Sequence, residues 1–152
     1  MTLIGKKIIP VVLAMLLLQS CFFYATYGIL RTLNDISYIL RTINTSMTTI
    51  QTVMKEGKDL KRAAKDGQLV ATLAEKIPSL IRKQVDKAVN EKINLLSGDL
   101  KTSALNFTKH AIEENLKEAH QSYNQMADTY NRFTDLMTDL SQTASSVNPS
   151  GS

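Results

Sequence analysis

LNDISYILRTINTSMTTIQTVM, residues 33–54, sets an apolar side chain at Leu33, Ile36, Leu40, Ile43, Met47, Ile50 and Met54. The spacings alternate between three and four without a miss. That is the a/d stripe of a heptad pattern, and it reads as an α-helix with one face to bury. Ile29 and Phe22 continue the same phase backward. The helix is therefore expected to grow directly out of the apolar segment that precedes it. Gly57 marks a weak point near its end. Between Thr42 and Met54 the outer positions carry no charge, only Thr, Asn, Ser, Gln and apolar residues. Two readings fit this: a solvated polar face, or a face covered by neighbouring helices in an oligomer.

Further along, residues 58–76 read as a second, weaker helix interrupted at Gly67. Pro78 suits the first turn of a new helix. Leu80, Ile81, Val85, Ala88, Val89, Ile93 and Leu96 then form its apolar stripe. Ser97-Gly98-Asp99 reads as a stop and restart, with Gly98 as C-cap and Asp99 as the next N-cap. The last helix, residues 100–142, would be about 60 Å long at the usual rise per residue. Leu105, Ile112, Leu116, Ala119, Tyr123, Met126, Tyr130, Phe133, Met137 and Leu140 hold one heptad phase along it, with Lys109 the single charge in the stripe. Residues 143–152, rich in Ser, Asn, Pro and Gly, read as a disordered tail.

A chain of 152 residues with three Pro, six Gly and no Trp fits one helical domain. The net charge of +4 is unevenly spread: +3 over residues 1–54, +4 over 55–92 and −3 over 93–152. Such asymmetry suits helices folded back on one another, or a basic flank near an anionic membrane. Nucleic acid is excluded as a partner, because residues 55–92 hold no Phe, Tyr or Trp for stacking and no recognisable binding motif. A lone Cys forbids an intrachain disulfide and offers no zinc spacing.

That Cys stands at a telling place. Lys6 and Lys7 precede Ile8 to Leu18, which is uncharged, and Leu18-Gln19-Ser20-Cys21 follows. The layout is a basic n-region, an apolar h-region and a small residue at a cut site. Residues 1–21 resemble the signal peptide and lipobox of bacterial lipoproteins, with Leu18, Ser20 and Cys21 at favoured positions and Gln19 a departure. The resemblance implies cleavage before Cys21, a diacyl (palmitate-type) lipid on its thiol, and a mature body in the periplasm. A rival reading starts from Phe22 to Leu30, which is also uncharged. Ile8 to Leu30 is then long enough to cross a hydrocarbon core of about 20 residues' length. Arg31 balanced by Asp35 on the far flank leaves the N-terminus cytoplasmic in both cases.

The chain shows little that resembles chemistry. His110 and His120 are too far apart to share a metal on one helix, and His110 with Glu114 would supply only two ligands. Glu113, Glu114 and Glu118 read as a solvated face paired with Lys109 and Lys117. The aromatic–methionine stripe from Tyr123 to Met137 reads as core before it reads as a groove for a partner helix. Asn44-Thr45-Ser46 and Asn106-Phe107-Thr108 match the glycosylation sequon at close to the chance rate.

The expectation is an all-α protein: an elongated helical hairpin or bundle with coiled-coil-like seams, anchored at its N-terminus. Its domains are a signal peptide 1–20 (or the start of a span 8–30), a helical body 21–142 and a tail 143–152. An extended homo-oligomeric coiled coil is the competing architecture. The implied function is a lipoprotein subunit of a larger envelope assembly, such as a secretion or conjugation system, without enzymatic activity or cofactor. The alternative is a single-pass inner-membrane coiled-coil protein that spans or remodels the envelope, similar in general plan to phage spanins. Partners would be membrane lipid and other protein subunits, with self-association included. Contacts would run through Leu33, Ile36, Leu40, Ile43, Met47, Ile50 and Met54 on the first helix. On the last they would run through Leu116, Tyr123, Met126, Tyr130, Phe133, Met137 and Leu140.

Overall fold

The apolar stripe of residues 33–54 is the inner face of a helix in an all-helical bundle. The computed structural model describes residues 5–57, 59–81 and 85–146, with side chains from Arg31 to Thr143. Four helices follow one another: α1 (Gly5–Glu56), α2 (Leu60–Ile81), α3 (Lys87–Ile112) and α4 (Leu116–Ser146). No strand occurs among the described residues. The links at 57–59, 82–86 and 113–115 are too short to travel the length of a helix, so each helix runs antiparallel to the one before it. α1 leans on α2, α2 on α3 and α3 on α4, and a lighter α1–α4 contact closes the ring.

Leu33, Ile36, Leu40, Ile43, Met47, Ile50 and Met54 are all buried. They share one core with Ala63, Val70, Ala74 and Ile77 of α2, Ile93, Leu100 and Phe107 of α3, and Met126 and Phe133 of α4. α1 thus packs on its own chain, and the extended homo-oligomeric coiled coil is not the architecture observed.

Three helix boundaries differ from the sequence reading. Gly67 does not interrupt α2. It is buried, and a Cβ built there would lie 2.6 Å from Thr108 Oγ1 and 2.8 Å from Phe107 Cδ1. The glycine serves close approach of α2 to α3 rather than a break. Pro78 lies inside α2 rather than at the start of a helix. Its missing N–H removes one helical bond in the last turns, while Ile77 and Ile81 on either side are fully buried and hold the segment in place.

Gly98 and Asp99 likewise sit within α3. Ile93, Leu96, Ser97, Leu100, Ala104 and Phe107 keep the inner face in phase through this point, and Gly98 lies on the outside, where an added Cβ would meet nothing within 4 Å. Tertiary packing outweighs the roughly 1 kcal/mol that an interior glycine costs. The true start of α3 is capped by Asp86, whose carboxylate accepts from Val89 N–H at 2.9 Å.

The expected 100–142 helix is split at 113–115. Asn115 N–H donates to His110 C=O at 2.9 Å and Glu114 N–H to Ala111 C=O at 3.3 Å, with Glu114 at φ 56°. This is the paired-bond Schellman ending, with a left-handed residue after the cap. Asn115 then caps α4, its side-chain oxygen accepting from Glu118 N–H at 3.3 Å. α4 continues to Ser146, beyond the end read at Gln142.

Glu114 holds a conformation that favours glycine, and its one ion pair, to Lys61 at 3.2 Å, is well exposed at both ends. Such pairs contribute little. Glu114→Gly is therefore expected to stabilise the bundle by about 0.5–1 kcal/mol. A urea midpoint below that of the native chain would refute this.

Candidate anchor and interaction surfaces

Cys21 and the span from Ile8 to Leu30 belong to residues whose side chains lie outside those described. Their backbone is part of α1, which is helical without a break from Gly5 to Glu56. Among residues 31–143, whose side chains are described, no helix is long and apolar enough to cross a membrane.

The seam residues of the last helix divide. Met126, Phe133 and Met137 are buried, and Tyr123, Tyr130 and Leu140 are half-buried against the same core. Leu116 is 40% exposed, and Leu105 and Ile112 of the expected stripe are also exposed. The stripe is not one face, because the turn at 113–115 resets the phase. On α3 the core side belongs to Leu100, Ala104, Phe107 and Ala111 instead.

Tyr130 ties α4 to α1. Its hydroxyl donates to Leu40 C=O at 3.2 Å. Burial pushes the phenols of Tyr130 and Tyr123 above their ordinary value. A raised phenol stays protonated in the bundle after the unfolded chain has begun to ionise. Its stabilising effect is thus complete below about pH 10 and is lost as pH rises from there through the folded value. Tyr130→Phe should cost about 1 kcal/mol near neutrality through the lost hydrogen bond. It should also show a smaller alkaline loss than the native chain. Melting curves at neutral and alkaline pH test this, and an unchanged alkaline loss would contradict it.

The uncharged outer face of α1 satisfies its own hydroxyls. Thr42, Thr45, Thr48, Thr49 and Thr52 each donate to the carbonyl four residues back, at 2.9–3.1 Å. These hydroxyls need no covering helix, which suits the solvated reading of this face. Two exposed ion pairs link α2 to α3 and to the turn after it: Lys101 Nζ to Glu75 Oε1 at 2.8 Å and Lys61 Nζ to Glu114 Oε1 at 3.2 Å. The pairing read from the sequence, of these glutamates with Lys109 and Lys117, does not form. Glu113 faces His110 Nδ1 at 3.4 Å, outside hydrogen-bond geometry. His120 is exposed. Among the described residues no three His, Cys, Asp or Glu side chains gather as metal ligands.

Two grooves remain. One, of about 360 Å³, runs between α1 and α4, where Arg41 is the single charge among Ser37, Leu40, Thr134, Met137, Thr138, Ser141 and Gln142. The other, of about 480 Å³, runs between α3 and α4. Its α3 wall is Lys92, Leu95 and Leu96, and its α4 wall is Arg132, Asp135, Leu136 and Asp139. Leu95 is 59% exposed. The sequence reading missed it, although a signal existed. Adjacent helical residues point about 100° apart, so only one of Leu95 and Leu96 can face the core.

No family model matches the chain, and neither a curated protein nor a solved structure is similar to it.

Proposed function

We propose that the chain is a structural subunit of a bacterial envelope assembly. A helical bundle is held at a membrane by the N-terminal segment, and it acts through helix contacts rather than catalysis. One observation carries this reading: α1 joins the segment that holds the lipobox-like Leu18-Gln19-Ser20-Cys21 to the core as one unbroken helix. Among the described side chains, the first buried ones are Thr32 and Leu33. At about 1.5 Å per residue, a lipid on Cys21 would sit some 16 Å from the first core residue. The body would then stand close to the bilayer on a short, stiff stalk in the periplasm. A larger assembly such as a secretion or conjugation system would use such a part as a fixed post.

A second reading takes Ile8 to Leu30 as an uncleaved inner-membrane span. The same continuity favours it, since a helix that enters the bundle without a tether is unusual for a mature lipoprotein. In its spanin-like form this reading needs a coiled-coil seam free to reach across the envelope. The seam of α1 is spent inside its own bundle, which favours the scaffold over the remodelling device.

Intact mass of the protein extracted from bacterial membranes, beside Cys21→Ala, decides the anchor. A mass lacking residues 1–20 and bearing acyl chains, lost in the variant, is the expected result. A full-length, unmodified mass in the membrane fraction would establish the span, and a full-length soluble protein would overturn both.

A further inference from the structure

The α3–α4 groove places two cations and two carboxylates around an exposed leucine. Lys92, Arg132, Asp135 and Asp139 take part in none of the ion pairs among the described residues. We propose that this groove is the interface on which two copies of the chain pair side by side, with their bundles pointing the same way.

The arrangement of charge identifies a second copy as the occupant. α3 and α4 are antiparallel about the turn at Glu114. Lys92 and Asp135 lie almost equally far from that turn, so they stand at one height on neighbouring helices. A two-fold axis parallel to the bundle sets α3 of one copy beside α4 of the other. Lys92 of each copy then meets Asp135 and Asp139 of its mate, and Arg132 reaches toward the exposed Asp99. Leu95 of both copies comes together at the centre, where its exposed surface is removed from water.

The outer side of α2 is less balanced: it exposes Lys61, Arg62, Lys65 and Lys76 against Glu75, so a copy would mostly meet its own sign there. The common direction of the two bundles rests on the anchored reading above, because copies held in one membrane share their orientation. The opposed charges across the groove are independent of it.

The test is a charge swap in the full chain, extracted in mild detergent and sized by sedimentation over a range of concentrations. The native protein should be dimeric. Lys92→Glu and Asp135→Lys should each weaken pairing about tenfold or more by setting like charges together. The double variant should recover to within about threefold of the native affinity, since the pair is restored in reverse. Both positions are exposed, and helical circular dichroism will show that each variant is folded. A native chain that stays monomeric would overturn the proposal. So would single variants that pair as the native does, or a double variant no better than the singles. Fractionation reads the anchor separately: a soluble protein that still obeys the charge swap keeps the groove and removes the anchor.

Discussion

Phe107→Ala is expected to destabilise the bundle by about 3–5 kcal/mol, the range for removing a fully buried aromatic ring. Phe107 is among the largest side chains without solvent exposure, and its ring lies against Gly67 of α2. Collapse around the vacated ring is limited, because Gly67 across from it and Ala104 one turn back on α3 have no side-chain length with which to follow. Domains of this size are stable by about 5–15 kcal/mol, so the variant should retain helix yet unfold at much lower urea. Leu105→Ala, two residues away and 39% exposed, should shift stability by about 0.5 kcal/mol or less. Equal effects at the two positions in denaturant titrations would mean that Phe107 is not in the core.

Two glycine substitutions should have opposite signs. Gly67→Ala would place a methyl 2.6 Å from Thr108 Oγ1, 2.8 Å from Phe107 Cδ1 and 3.3 Å from Ala104 C=O. The ring of Phe107 is enclosed, and the Thr108 hydroxyl is held by Ala104 C=O at 2.8 Å. Neither yields without moving α3 away. Overpacking costs about 1–3 kcal/mol, and contacts under 3.0 Å with held atoms belong to the upper half of that range, about 2–3 kcal/mol, against which alanine gains about 1 kcal/mol of helix propensity. The net should be a loss of about 1–2 kcal/mol, or some 2–8 °C in melting temperature for a chain of this length. Gly98→Ala meets nothing within 4 Å, so only the propensity gain remains. It should raise stability by about 1 kcal/mol. A Gly67→Ala variant as stable as Gly98→Ala would show that α2 and α3 are not in close contact.

The same glycines explain how far the fold was legible. The α1 stripe was plain, because seven apolar residues in strict heptad phase have one reading and the structure buries all seven. Gly67, Pro78 and Gly98 read locally as punctuation, since each weakens a helix when considered alone. What holds them in helices is contact with residues far along the chain, such as Thr108 against Gly67, and no local window contains it.

The converse error came at 113–115. Glu114 occupies a left-handed position where glycine is the usual signal, so the break was hidden. Asn115 with Glu118 three residues on is a capping signature that a heptad phase running through the turn by coincidence conceals. The groove at Leu95 went unread for a related reason. Its four charges come from two helices, and only the register of α3 against α4 brings them together.

Four antiparallel helices have a consequence for anyone who labels this molecule. An even number of passes returns the chain to the side from which it set out. The N-terminal extension of α1 and the end of α4 therefore emerge from the same pole. The opposite pole is built of the turns at 57–59 and 113–115 alone. A fluorescent domain fused after α4 would stand beside the N-terminal extension of α1. An epitope inserted at 113–115 would stand a full bundle length away, about 35–40 Å from it at the usual helical rise.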